Sequence, residues 1–146
     1  QSPDCNVLDD EYPSIVWADS CSNSDTDENN IGRRMLRQGA VGFIGATKVA
    51  YGAGHWDTPA DGSSQSCDYW FTTKVTSGEM SQGEAHQYSL LTNYLNGLWS
   101  LPEYEIYEWT LHGSPTIGMD AIECPLCVFA DDFENGDLLM WSEVTP

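Results

Sequence analysis

Apolar residues fall into short blocks divided by polar stretches, and the spacing of the blocks describes a mixed α/β chain. Ser14 to Ala18 carries Ile15, Val16 and Trp17 between Pro13 and the polar run Asp19 to Asn30, the profile of a buried strand. A second run, Ala40-Val41-Gly42-Phe43-Ile44-Gly45-Ala46, follows Gly39, and residues 31–38 between the two suit a short crossover helix. A strand, helix and strand joined this way make a right-handed unit with parallel strands. Cys21 stands just past the carboxyl end of the first strand, the edge at which open α/β sheets place their chemistry.

Further along, residues 66–75 suit a helix carrying Tyr69, Trp70 and Phe71. Residues 84–99 predict a second one, in which Leu91, Tyr94, Leu95 and Leu98 recur at helical spacing and are expected to pack on the sheet, with His86 on the helix surface. Residues 105–111, EIYEWTL, alternate and are rich in aromatics, so they predict a third strand ending at His112-Gly113-Ser114-Pro115. Between the second strand and the first long helix, residues 52–62 form a glycine-rich loop with His55, Trp56, Asp57 and Asp61, at the end of the sheet where loops line pockets.

Composition narrows the function. The 146 residues contain 5 Lys and Arg against 23 Asp and Glu, a formal charge of -18. A phosphate backbone would be repelled, so nucleic acid is excluded as a partner, and no apolar run is long enough to span a membrane. The acidity reads as a heavily solvated surface, with attraction of basic substrates as the sharper alternative. The chain opens on Gln1-Ser2-Pro3-Asp4, which suggests a processed product. Cys5, Cys21, Cys67, Cys124 and Cys127 point to an oxidising compartment, hence to secretion. With Cys21 as the odd thiol, the other four are expected to form two bridges in any of three pairings. Cys124 and Cys127 have metal-ligand spacing, but no second pair exists to complete a zinc ribbon. Asp25, Asp27 and Glu28 offer oxygen ligands for calcium; the glycine and closing glutamate of an EF-hand loop are missing, so solvated charge and helix capping are preferred and no cofactor is required.

Four ordered segments carry a family resemblance: Trp17-Ala18-Asp19-Ser20-Cys21, then Gly39 to Thr47, then Gly83-Glu84-Ala85, then Trp109 to Thr116. Together they resemble the second half of gingipain-type cysteine peptidases. The resemblance implies a caspase-like three-layer α/β sandwich with a mostly parallel sheet, of which residues 12–119 would be the C-terminal half. Residues 1–11 would form an N-terminal arm, and residues 120–146 a disulfide-clipped arm and an acidic linker or docking tail. The family's GDP turn is Gly113-Ser114-Pro115 here, which places one loop contact in doubt. The tail segment FADDFENGDLLMWS resembles the FxDxFExGDxxxWS stretch near the carboxyl ends of many secreted bacterial proteins.

What the family implies chemically is a Cys/His dyad. Cys21 matches the nucleophile, because a thiolate made by a neighbouring imidazole is needed to attack a peptide carbonyl. The family histidine lies upstream, in a His-Gly pair, and residues 1–20 contain no histidine. The base is therefore expected from a separate N-terminal chain of the same precursor. His112-Gly113 has the right pairing but the wrong place, after the last strand. Gly52, Trp56 and Asp57 correspond to the primary substrate pocket, where Asp57 or Asp61 would hold an Arg or Lys side chain. The expectation is a secreted cysteine endopeptidase fragment acting on peptide or protein. From a different class, the alternative is a non-catalytic assembly or adhesion subunit descended from such a peptidase, with Cys21 unreactive or bridged.

Overall fold

The computed structural model describes residues 13–26, 29–99 and 102–119. The expected arm 1–11 and tail 120–146, with Cys5, Cys124, Cys127, Asp27 and Glu28, lie outside them.

Seven elements follow in chain order: β1 (Ser14–Ala18), α1 (Ile31–Arg37), β2 (Ala40–Ala46), α2 (Ser63–Thr76), α3 (Gln82–Leu95), α4 (Pro102–Glu108) and β3 (Trp109–Gly113). Among the described residues the sheet has three strands in the order β1-β2-β3. β1 and β2 are parallel, with Val16 opposite Phe43 and Ala18 opposite Gly45, as the strand–helix–strand pattern predicts. β2 and β3 are antiparallel, with Phe43 opposite His112 and Ala46 opposite Trp109. The described sheet thus holds one parallel and one antiparallel pair.

Alternation along the strands separates two faces. Ile44, Ala46 and Trp109 join Cys67, Phe71, Val75 and Ala85 of α2 and α3 in one buried core, with Ile15, Trp17 and Leu111 packed against it. The Trp17 and Trp109 rings stack at 5.0 Å and 26°, and Trp17 meets Phe71 at 5.2 Å. The two tryptophans come from the strands flanking β2, Trp17 opposite Ile44 and Trp109 opposite Ala46. On the opposite face Phe43 is fully buried beside His112 and above Gly32 of α1. A Cβ at Gly32 would lie 2.6 Å from the Phe43 ring, so only glycine lets α1 sit this close to the sheet.

α1 begins where Asn30 Oδ1 accepts from the Arg33 N–H at 2.8 Å, so an asparagine caps it rather than the acidic run before it. α3 begins in a capping box: Ser81 accepts from the Glu84 N–H while the Glu84 carboxylate accepts from the Ser81 N–H at 3.0 Å. Two element assignments change. Residues 102–108 are helical, and the strand starts only at Trp109. Glu105 and Glu108 are buried at i and i+3 while Tyr107 is 82% exposed, which is a helical and not an alternating pattern. In α3 the buried residues are Gln82, Ala85, Ser89 and Asn93, whereas Leu91, Tyr94 and Leu95 are 54%, 52% and 72% exposed. Of the stripe expected in the core, Leu91, Tyr94 and Leu95 face outward, and Leu98 lies beyond the helix and is half-buried. Small and polar side chains allow α3 to lie close against α2, where Asn93 Nδ2 donates to the Ser63 carbonyl at 2.8 Å.

Cys67 belongs to this seam. It is a free thiol, fully buried and 3.3 Å from the Ser89 hydroxyl, so it takes no part in the disulfides expected of it. His86 is also inward: its ring lies 6.3 Å from Trp17 and burial lowers its pKa to about 4.

Candidate active site

β1 delivers the chain to a tight turn at the carboxyl edge of the sheet. Ser22 N–H donates to the Lys48 carbonyl at 2.7 Å and Ser24 N–H to the Ala46 carbonyl at 2.9 Å, so the turn is laced to the end of β2. Asn23 Nδ2 donates back to the Ala18 carbonyl at 2.9 Å, closing the turn on the end of β1. Asn23 and Ser24 are buried while Cys21 and Ser22 are exposed. Ser22 has φ 52, a left-handed conformation that costs a non-glycine residue about 1 kcal/mol and is held here by the bonds on both sides. The turn fits only because β2 has no side chain beneath it: a Cβ at Gly45 would lie 2.2 Å from Asn23 Oδ1.

The consequence is a sulfur presented to solvent from a rigid base. Cys21 is a free, exposed thiol whose Sγ donates to the Ala50 carbonyl at 3.7 Å. Among the described residues no histidine is hydrogen-bonded to it. His55 engages Asp57, His86 packs in the core near Trp17, and His112 lies beside Phe43 on the far face of the sheet. Burial, followed by the Arg33 charge, lowers the pKa of His112.

The loop after β2 runs beside this turn. Ala53 N–H donates to Gln65 Oε1 at 2.8 Å, and Ser64 N–H to the Tyr51 carbonyl at 3.3 Å, so the first turn of α2 fixes residues 51–53. Gly52 faces the Gln65 amide, 2.8 Å from where a Cβ would stand. His55 Nε2 and Asp57 Oδ2 lie 2.6 Å apart, both exposed. Asp61 accepts from the backbone N–H groups of Asp57 and Thr58, which hold its carboxyl below the usual carboxylate range. Asp61 is therefore a strut of its own loop.

Trp56 turns toward α2 and meets Tyr69 at 6.5 Å between ring centres. With Gln65, Asp68, Thr72 and Thr73 these rings line an open groove of about 410 Å³. Sequence reasoning placed Gly52, Trp56 and Asp57 together on one loop, and the structure keeps them there. It missed Asn23, Ser24, Gln65 and Asp68. Gln65, Asp68, Thr72 and Thr76 do recur at helical spacing, but a polar stripe reads as a solvated face.

Among the described residues no group of three or more His, Cys, Asp or Glu is placed to hold a metal ion. No helix among them is long and apolar enough to cross a membrane. The family model described as Peptidase family C25 matches residues 1–120. No curated protein and no solved structure matches the chain.

Proposed function

The chain belongs to Peptidase family C25, the gingipain family of cysteine peptidases, and from that membership we propose that it is a fragment of a secreted cysteine endopeptidase with Cys21 as nucleophile. The observation that carries this reading is Cys21 itself: an exposed free sulfur on a turn laced to the carboxyl end of β2, in a chain that a peptidase family covers. The remainder of the caspase-like sandwich, and the histidine, would come from the N-terminal half of the same precursor, docked beside β1, which is an edge strand among the described residues.

In the reaction the imidazole takes the Cys21 proton, and the thiolate attacks the peptide carbonyl carbon. The backbone N–H of Cys21 would donate to the resulting oxyanion. Collapse expels the amine, which takes the proton back from the imidazolium, and water then releases the acyl group from sulfur. Residues Gly52, Trp56 and Asp57 would flank the substrate on the loop beside Cys21, with His55 holding the Asp57 carboxylate.

The test is covalent capture by a peptidyl chloromethyl ketone, which needs a working thiolate–imidazole pair. In the presence of the N-terminal half, peptide mapping is expected to find the adduct on Cys21, and Cys21→Ala to lose both adduct and peptide cleavage. Cleavage that survives Cys21→Ala would remove the assignment.

A further inference from the structure

The turn that carries Cys21 is held on both sides of the sulfur, and one group between the two holds is left unused. Before it, the Ser20 N–H donates to the Ala18 carbonyl at 2.9 Å; after it, the Ser22 N–H donates to the Lys48 carbonyl at 2.7 Å. The Cys21 N–H between them is engaged by no group among the described residues. Asn23 decides where this bracket sits. Its Nδ2 donates to the same Ala18 carbonyl, so the last acceptor of β1 takes one bond from each side of Cys21. The side chain is 5% exposed, yet its Oδ1 has no hydrogen-bond partner, and neither has the Oγ of Ser24 at 2% exposure. Both oxygens occupy the space that a Cβ on Gly45 would need.

Two bare oxygens in a buried turn, beside the left-handed Ser22, weaken the fold, and nothing in the packing requires an amide here. Local rules broken together at one place mark a position kept for function. We propose that Asn23 is a positioning residue for the peptidase reaction: acting through the Ala18 carbonyl and seated on Gly45, its amide fixes the Cys21 sulfur and the Cys21 N–H together. The role rests on Cys21 as nucleophile. The sulfur must meet the peptide carbon while the N–H meets its oxygen, so both have to be aligned at once, and a displacement of about 1 Å costs about a hundredfold. Buried beneath the turn, Asn23 does this without touching substrate.

Three variants of the full 146-residue chain test the role. Asn23→Ser keeps a hydroxyl in the buried site but falls one bond short of the Ala18 carbonyl; Asn23→Asp keeps the shape and, when ionised, offers no donor. Val75→Ala, in the core on α2, removes stability away from the turn. Asn23→Ser buries no charge, so its fold is expected to survive, and circular dichroism checks all three. In the chain alone, amide exchange is expected to find Ser22 and Ser24 protected in the parent and in Val75→Ala, and opened in both Asn23 variants. Iodoacetamide reaches an exposed thiol from any side, so Cys21 should be labelled in all four proteins at rates within about twofold. With the N-terminal half present, inactivation by a peptidyl chloromethyl ketone should lose about a hundredfold in limiting rate in both Asn23 variants, with the half-saturating concentration unchanged, the mark of an interaction made during reaction rather than on binding. Val75→Ala should keep the parent rate. A full limiting rate in either Asn23 variant overturns the proposal, as does an equal loss in Val75→Ala or protection of Ser22 and Ser24 that survives both Asn23 changes; each of these results leaves Cys21 as nucleophile. A parent chain that takes no adduct with its partner present overturns the peptidase reading and this role with it.

Discussion

Two sulfurs in one small domain differ by environment alone. Cys21 is exposed at the tip of its turn, whereas burial between α2 and α3 pushes the Cys67 thiol far up, with only the Ser89 hydroxyl opposing. Thiolate character governs alkylation, so iodoacetamide at pH 8 is expected to label Cys21 in the native chain and Cys67 only after denaturation. Mass mapping that finds both labelled at equal rates without denaturant would refute the sealed seam. Glu108 gives a second test. Its carboxylate is buried with neither oxygen hydrogen-bonded among the described residues, and burial, then Glu105 and Asp19, raise its pKa to about 7. A raised acid pKa means that the folded state keeps a proton the unfolded state has lost, so stability falls as pH climbs from about 4.5 to about 7. His86 acts oppositely: its lowered pKa favours folding above about 6.5 and removes that contribution as pH falls toward about 4. Glu108→Gln should accordingly raise the melting temperature at pH 8 and leave it nearly unchanged at pH 4, measured by circular dichroism. Of these residues only Cys21 was legible in the sequence, since a buried strand followed by a lone cysteine is a local pattern. The clamp of Asn23 and Ser24 was not, because it depends on a missing side chain at Gly45, more than twenty residues away.

Among the elements, β1, α1 and β2 were readable because each is a short apolar or periodic block closed by turn residues. α3 shows where that logic fails. Its period is helical, but its phase is set by contact with α2, which selects Ala85, Ser89 and Asn93 for their size and leaves Leu91 and Leu95 outside. Hydrophobicity alone chooses the wrong face whenever close helix packing favours small residues. Leu95→Gln should therefore change stability by less than about 0.5 kcal/mol, as for an ordinary surface position. Ala85→Leu, which forces a large side chain into the core beside Ile44, should cost about 1–3 kcal/mol. Urea unfolding of both variants decides the phase, and the reverse order of effects would return the leucines to the core. α4 and β3 mislead for a related reason. EIYEWTL alternates in hydropathy, yet it buries two glutamates on one helical face, and no sequence pattern anticipates a buried carboxylate.

Across the whole molecule charge is the dominant long-range term, and it was legible from composition. What composition does not reveal is how little of it is compensated. Among the described residues Lys74 pairs with Glu79 and His55 bonds Asp57, and contacts of this kind at exposed sites each contribute at most about 1 kcal/mol. Against them stands the mutual repulsion of a net charge of -18, expressed locally where Asp19 raises the pKa values of both Asp68 and Glu108. Salt weakens attraction and repulsion alike, so the sign of its effect reports which is larger. Raising ionic strength from about 0.01 M to about 0.1 M shortens the screening length from about 30 Å to about 10 Å, less than the width of the domain. Repulsion summed over many distant pairs is then cut far more than two short contacts. The melting temperature at pH 8 should rise over this range, and the gain from Glu108→Gln should narrow as its neighbours are screened. Chloride and sulfate compared at equal ionic strength separate screening from surface exclusion, since only the latter favours sulfate. A melting temperature that falls with chloride would mean that the ion pairs, rather than the surplus of carboxylates, set the electrostatic balance of the fold.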